Sequence, residues 1–427
     1  MIKGKKVLLF CILIVVIYIA FIHNIFRKPL QAQLRVKVNN KKIDIIDLRR
    51  HQLRITKEND LIERDVPRYL LNYRNPCWLE TIHSAGVYVD NPYLSLTENT
   101  QKEMIRLTVK WGKLLSKTNS STKPKRLRCL PYLYVAGMPK SGTTDFYRRL
   151  NVHPDIVKGQ RKEPHWWTRM RFSELKRTNR SSINIYIDLF DGAAEKIELD
   201  KSHSKITSDS SASTLWDNDF WRSFPGNANL DEPELLNAHY IHHFTPGIKV
   251  IVLLRNPIER LFSDYLYFGK FNKSVENFHE RVVDTIALYE NCFKNETLRK
   301  CAYDSKLGLL SGVRLRIGLY WIYLKDWFNV FPVKNFLIIR SEDYKRCVLC
   351  VFKKVFRFLG LKKLDKVKER ALTSLPPANT RKDATRNIGP IMNETYALLQ
   401  KFYQPHNEEL VKLLNRTAFY WSDDTLD

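Results

Sequence analysis

"GMPKSGTTDFYRRL", residues 137–150, follows the apolar run Tyr132 to Ala136 and opens an amphipathic stretch. Gly137 and Gly142 keep the spacing of a nucleotide-binding phosphate loop, G-x-x-x-x-G-K-[ST]. Its lysine is displaced: Lys140 lies inside the loop, and Thr143 stands where that loop has its lysine. A glycine-containing turn between a strand and a helix still directs backbone N–H groups and the positive helix end at an anion. The loop is therefore a candidate anion site, with Lys140 inside it.

The surrounding chain places that loop in an α/β fold. "YLYVA" (132–136) reads as a buried strand and Thr143 to Asn151 as a helix stopped before His153-Pro154. "KVIVLL" (249–254) reads as a second strand, with Pro257 pre-setting the first turn of a helix through "IERLFSDYLYF". "FLII" (336–339) is a third strand; long helices are expected over "VRLRIGLYWIYLKDWFNVF" and "ETYALLQKFY". A nucleoside triphosphatase ends its second central strand in an aspartate that holds Mg²⁺. Here Arg255 occupies that place, and a guanidinium binds an anion directly. Ser263, about two helical turns on, is placed to share that anion. The ligand is expected to carry two anionic ends and to need no metal.

Lys plus Arg number 71 and Asp plus Glu 45, a net charge of +26, which implies a polyanionic partner: nucleic acid, anionic membrane or acidic polysaccharide. With 44% hydrophobic residues the chain is a folded protein rather than a charged tail. Lys3, Lys5 and Lys6 precede an apolar run that reaches Phe26, and no small-residue cleavage site follows it. The expected organisation is a cytosolic tail (1–6), a transmembrane signal-anchor (7–26), a polar stem without assigned fold (27–65), an N-terminal extension (66–124) and a catalytic domain (125–427). The lysines keep the tail cytosolic and put the rest in the lumen of the secretory pathway, away from nucleic acid. Sequons at Asn119, Asn179, Asn272, Asn295, Asn393 and Asn415 fit that placement.

Beyond Cys11 in the anchor there is an even set of cysteines, as expected of disulfides in an oxidising compartment. Cys292 with Cys301 is the first expected pair and Cys77 with Cys129 the second; Cys347 and Cys350 leave a metal or redox reading open. His239, His242 and His243 fall at helical spacing, but no acid or cysteine is assigned near them and no metal is expected.

Two of these stretches together resemble a known family. "GMPKSGTTDFYRRLNVHP" is similar to the 5′-phosphosulfate loop, and "VIVLLRNPIERLFSDYLYF" to the 3′-phosphate motif, of the Golgi carbohydrate sulfotransferases that use 3′-phosphoadenosine 5′-phosphosulfate (PAPS). The resemblance runs from about Asn75 to Trp421. "KEPHWWTRMRF", "STLWDN" and "RLRIGLYWIYLKDW" resemble the branch that adds a 6-sulfate to N-acetylgalactosamine 4-sulfate of chondroitin sulfate.

The resemblance implies a P-loop-like three-layer fold with a central parallel sheet, and roles for its residues. Lys140 would contact the oxygen bridging phosphate and sulfate, Ser141 to Thr144 the 5′-phosphate, and Arg255 and Ser263 the 3′-phosphate. In "KEPHWW", Glu163 would be the base and Lys162 would steady the sulfuryl oxygens; His165 is the rival base. Trp166 and Trp167 are open to sugar stacking or core packing. Thr380, Arg381 and Lys382, in a breaker-rich loop, would cover the nucleotide. The implied acceptor is an anionic glycosaminoglycan. Heparan or other carbohydrate sulfotransferases share the donor motifs, and a non-catalytic polyanion-binding protein on this fold is the alternative of another class.

Overall fold

The structure, a computed structural model, describes residues 35–38, 41–44, 61, 64–117, 123–172, 182–269, 272–378 and 387–421. The chain divides into two units, residues 1–58 and 59–427. In the first, strands β1 (Arg35–Val38) and β2 (Lys41–Asp44) form an antiparallel hairpin. In the sequence of this stretch, Val36 and Val38 alternate with basic residues. The apolar run 7–26 lies outside the described residues, among which no helix is long and apolar enough to cross a membrane.

The second unit is built on β3 (Cys77–Thr81), β4 (Lys125–Cys129), β5 (Leu133–Gly137), β6 (Ile156–Lys158), β7 (Ile206–Asp209), β8 (Lys249–Leu254) and β9 (Phe336–Arg340). The last five form one parallel sheet in the order β6-β7-β5-β8-β9. The three strands read from apolar runs are thus its centre and one edge, and β6 and β7 are additions. Every residue of β5 is buried, which is why it reads as a continuous apolar run: a parallel sheet is covered on both faces.

Alternation along β5 and β8 shows the layering. Leu133, Val135, Ile251 and Leu253 pack with Phe146 and Leu150 of the helix Thr143–Leu150 and with Phe352 and Val355 of the helix Val348–Phe358. Tyr134 points the other way, where its hydroxyl meets that of Tyr186 at 3.2 Å. Trp166 and Trp167 belong to this second face; they are 0% and 1% exposed and pack around Tyr186, so they fill core rather than stack on a sugar.

The extension is joined to the sheet domain by the β3-β4 pair and by the Cys77–Cys129 disulfide within it. Arg126 and Arg128 on β4 reach the buried carboxylates Asp188 and Asp191, and Glu80 on β3. Cys292–Cys301 is also bonded, and Cys347–Cys350 forms a third disulfide in place of a metal or free redox pair.

One helix boundary differs from expectation. "VRLRIG" is not the start of a long helix: Leu315–Gly318 is a 3-10 turn, and the helix is Tyr320–Val330. Gly318 lies against Tyr403, where a Cβ would stand 2.6 Å from the ring, and the Tyr403 hydroxyl donates to the Leu315 carbonyl at 2.7 Å. That approach holds the turn. The C-terminal helix runs Asn393–Leu414 with Pro405 inside it, longer than the periodic stretch read from sequence.

Candidate active site

Loops at the carboxyl ends of β5, β7, β8 and β9 converge on a cavity of about 410 Å³. Its wall includes Lys140, Ser141, Gly142, Thr143 and Thr144 from the first loop, Arg255 and Ser263 from the third, and Glu163 and His165 from the segment after β6. Residues more than a hundred positions apart in sequence are thereby brought into one site.

The first loop is shaped for an anion. Lys140 and Gly142 adopt left-handed backbone, φ 68° and 87°, and Gly142 caps the helix Thr143–Leu150 without a side chain. That leaves the first N–H groups of the helix open toward the cavity. The Ser141 hydroxyl is buried and has no partner among the described residues, although the Ser141 carbonyl accepts from Ser341 Oγ at 2.8 Å. A buried donor left unpaired costs about 1–3 kcal/mol, and a phosphate oxygen would satisfy it. The loop therefore fits the 5′-phosphate of a PAPS-like donor.

Arg255 leaves β8 as it ends. Asn256 caps the following helix, accepting from the Ile258 N–H at 3.0 Å, and Pro257 opens the helix as expected. The Arg255 guanidinium donates to Glu259 at 2.9 Å and to the Lys140 carbonyl at 3.4 Å, so the two loops touch through it. Its own carbonyl accepts from the Tyr320 hydroxyl at 2.8 Å. Ser263 stands on the cavity face of the helix Pro257–Phe268, where Tyr267 follows one turn later.

The Lys140 ammonium lies 3.7 Å from the centre of the Tyr267 ring, a cation–π contact that aims it. Burial brings its pKa down to about 8; Asp264 opposes the fall, and Arg255 and Arg314 add to it. Arg314 itself is held by two bonds to Asp264, at 2.8 and 2.7 Å.

Glu163 and His165 both have left-handed backbone, φ 56° and 51°. Such residues cost roughly 1–3 kcal/mol each and gather where function requires a strained placement. Lys162 is not on the wall itself, but its ammonium bridges Glu163 Oε1 at 2.5 Å and Thr144 Oγ1 at 3.2 Å. His165 Nδ1 lies 2.6 Å from Ser213 Oγ, and its Nε2 4.0 Å from Glu163. Burial, then Arg169, Lys162 and Arg161, pull the His165 pKa down to about 3. The ring stays neutral and is a poor proton acceptor.

Thr380, Arg381 and Lys382 lie outside the described residues. The residues leading to them are anchored at the site: the Ala378 N–H donates to Asp145 at 3.1 Å, and Pro377 and Ala378 line the cavity. Sequence reasoning did not single out Arg169, Ser213, Trp216, Tyr267, Arg314, Ser341 or Tyr344, which also line it. Arg169, Ser213, Trp216, Tyr267 and Arg314 fall within the quoted stretches. Ser341 and Tyr344 carried one usable signal, their place directly after a strand of the sheet.

His239 and His243 are turned to backbone, accepting from the Leu236 N–H at 3.0 Å and lying 3.0 Å from the Arg64 carbonyl. No group of three or more His, Cys, Asp or Glu suited to a metal occurs among the described residues.

Residues 130–403 match the family described as "Sulfotransferase domain". The chain is 40% identical over 374 residues to human carbohydrate sulfotransferase 15, covering 83% of this chain and 66% of that protein. It is 62% identical over 139 residues to carbohydrate sulfotransferase 15 of Nototodarus sloanii, covering 33% of this chain and 87% of that one. A sulfotransferase crystal structure from Alicyclobacillus acidocaldarius aligns over 68% of this chain and 99% of its own, with a TM-score of 0.45 and 20% identity. The chain thus spans about two thirds of the length of its human relative. With a domain match over more than half of its residues, it belongs to the sulfotransferase family, whose sulfate donor is PAPS.

Proposed function

We propose that the protein transfers the sulfuryl group of PAPS to the 6-hydroxyl of N-acetylgalactosamine 4-sulfate in chondroitin or dermatan sulfate. The observation that carries this reading is the convergence of Lys140, Ser141–Thr144, Glu163, Arg255 and Ser263 on one cavity. Similarity to proteins named carbohydrate sulfotransferase 15 supports the acceptor class, and a net charge of +26 suits a polyanionic chain.

The transfer is an in-line displacement at sulfur. The acceptor oxygen forms a bond to sulfur while the bond from sulfur to the 5′-phosphate oxygen breaks. Glu163 takes the hydroxyl proton, and the leaving 3′,5′-bisphosphate (PAP) carries away the electron pair. Lys140 faces the bridging oxygen and holds its developing charge. The loop N–H groups and the Ser141 hydroxyl hold the 5′-phosphate, and Arg255 exchanges Glu259 for the 3′-phosphate. Lys162, already bonded to both Glu163 and Thr144, holds the base against the donor loop. A positioned base contributes ~10²–10⁴-fold, and oriented cations act on a similar scale. His165, neutral and tied to Ser213, orients the segment that carries Glu163.

The same reading places the protein in the Golgi membrane, single-pass, with residues 7–26 as anchor and the catalytic unit in the lumen. It is supported by the lysines before the apolar run, by three disulfides, and by exposed sequon asparagines at 272, 295, 393 and 415. Incubation with radiolabelled PAPS and separate chondroitin, dermatan and heparan chains tests the function. Label is expected in the galactosaminoglycans; label confined to heparan would move the protein to the other branch.

A further inference from the structure

Arg169 lines the cavity, and its guanidinium is held at one end. Its Nε donates to Asp217 Oδ2 at 2.6 Å; the Arg169 side chain is 45% exposed and the Asp217 side chain 3%. The guanidinium carbon stands 6.0 Å from the Trp216 ring, and the Nη groups have no other protein partner among the described residues. The other arginines on the wall are more fully engaged: Arg255 gives both Nη nitrogens to Glu259 and the Lys140 carbonyl, and Arg314 gives Nε and Nη2 to Asp264.

Arg169 is also close along the chain to the proposed base. Its backbone N–H donates to the His165 carbonyl at 2.9 Å, so one tight turn separates Arg169 from the Glu163–His165 segment. Ser213 grips that turn from the loop after β7, through His165 Nδ1 at 2.6 Å and Thr168 Oγ1 at 2.8 Å. Asp217, on the same loop, holds the guanidinium itself. In the sugar, the 4-oxygen is on ring carbon C4 and the 6-oxygen on the exocyclic carbon attached to its neighbour C5. A group that reads a 4-sulfate while the 6-hydroxyl faces Glu163 must therefore line the same cavity as Glu163, as Arg169 does.

Resting on the acceptor reading above, we propose that Arg169 determines specificity by gripping the acceptor's 4-sulfate with its Nη fork, so that 4-sulfated chains are preferred to unsulfated ones. Guanidinium geometry matches two oxygens of a sulfate, and the Nε bond to Asp217 leaves that fork pre-oriented.

The test compares wild type, Arg169→Ala and Arg169→Lys on chondroitin 4-sulfate and on chemically desulfated chondroitin, with kcat/KM measured for both chains on one preparation. Any loss of folded protein cancels in the ratio of the two values. Removal of a charge-assisted contact is expected to lower that ratio at least about tenfold in Arg169→Ala. Arg169→Lys should recover part of it, and PAP affinity by calorimetry should stay within about twofold. Equal losses on both chains would overturn the inference, because the residue would then serve a feature common to both, such as the uronate carboxylate or the fold. Wild type that labels neither chain would overturn the acceptor reading together with it.

Discussion

The Lys162 ammonium lies 2.5 Å from Glu163 Oε1 and reaches Thr144 on the donor loop with the same nitrogen. The proposed base and the candidate donor loop are thus linked by one cation. Glu163 has left-handed backbone, so its position is imposed by the surrounding structure rather than by local preference.

Glu163→Gln removes the proton acceptor and keeps the shape. Turnover is expected to fall by at least ~10²-fold, with PAP affinity by calorimetry nearly unchanged. A variant that keeps more than a tenth of wild-type turnover would remove Glu163 from the mechanism.

Arg255→Ala should separate the two ends of the donor. Affinity for PAP is expected to drop at least about tenfold, as for loss of a charge-assisted bond. Affinity for the analogue lacking the 3′-phosphate should change little, and equal losses would contradict the assignment.

Donor binding should depend on pH through Lys140. Burial holds its free pKa at about 8, and an anionic ligand favours the protonated form. Binding therefore raises that pKa: affinity is full below the free value and is lost as pH rises through it. PAP affinity should be level up to about pH 7 and fall toward tenfold per pH unit above 8. In Lys140→Arg the fall should vanish, because guanidinium stays charged. A level wild-type profile to pH 9.5 would refute this.

The Cys77–Cys129 disulfide, with a sequence separation of 52, closes the extension onto the domain. The double serine variant is expected to lose about 2–5 kcal/mol of stability, read from denaturant unfolding. An unchanged midpoint would show that the β3-β4 pair and the Arg126–Arg128 ion cluster suffice.

The sequence made the centre of this architecture legible because buried parallel strands are largely apolar, as β5 and β8 after Lys249 are. β7, "ITSD", is equally buried but polar: Thr207 Oγ1 donates to the Val157 carbonyl at 2.8 Å, and the Thr207 N–H donates to Asn75 at 2.9 Å. Its burial depends on partners far along the chain, and β6 has only three residues to show a pattern. The candidate donor-site residues could be singled out for a related reason. Their spacing is local to two loops, whereas Ser341, Tyr344 and Arg314 reach the cavity only through the crossing of the chain. The lowered pKa of His165 was not legible either: it follows from the burial of the imidazole and then from the cations around it.

The position of the transferred sulfate tests the whole account most directly. The protein would be incubated with radiolabelled PAPS and chondroitin 4-sulfate, the product digested to disaccharides, and the labelled disaccharide identified. The account predicts label in the disaccharide sulfated at both the 4- and 6-oxygens of N-acetylgalactosamine, and at least ~10²-fold less of it with Glu163→Gln. Label on the uronic acid, or transfer undiminished in that variant, would contradict it.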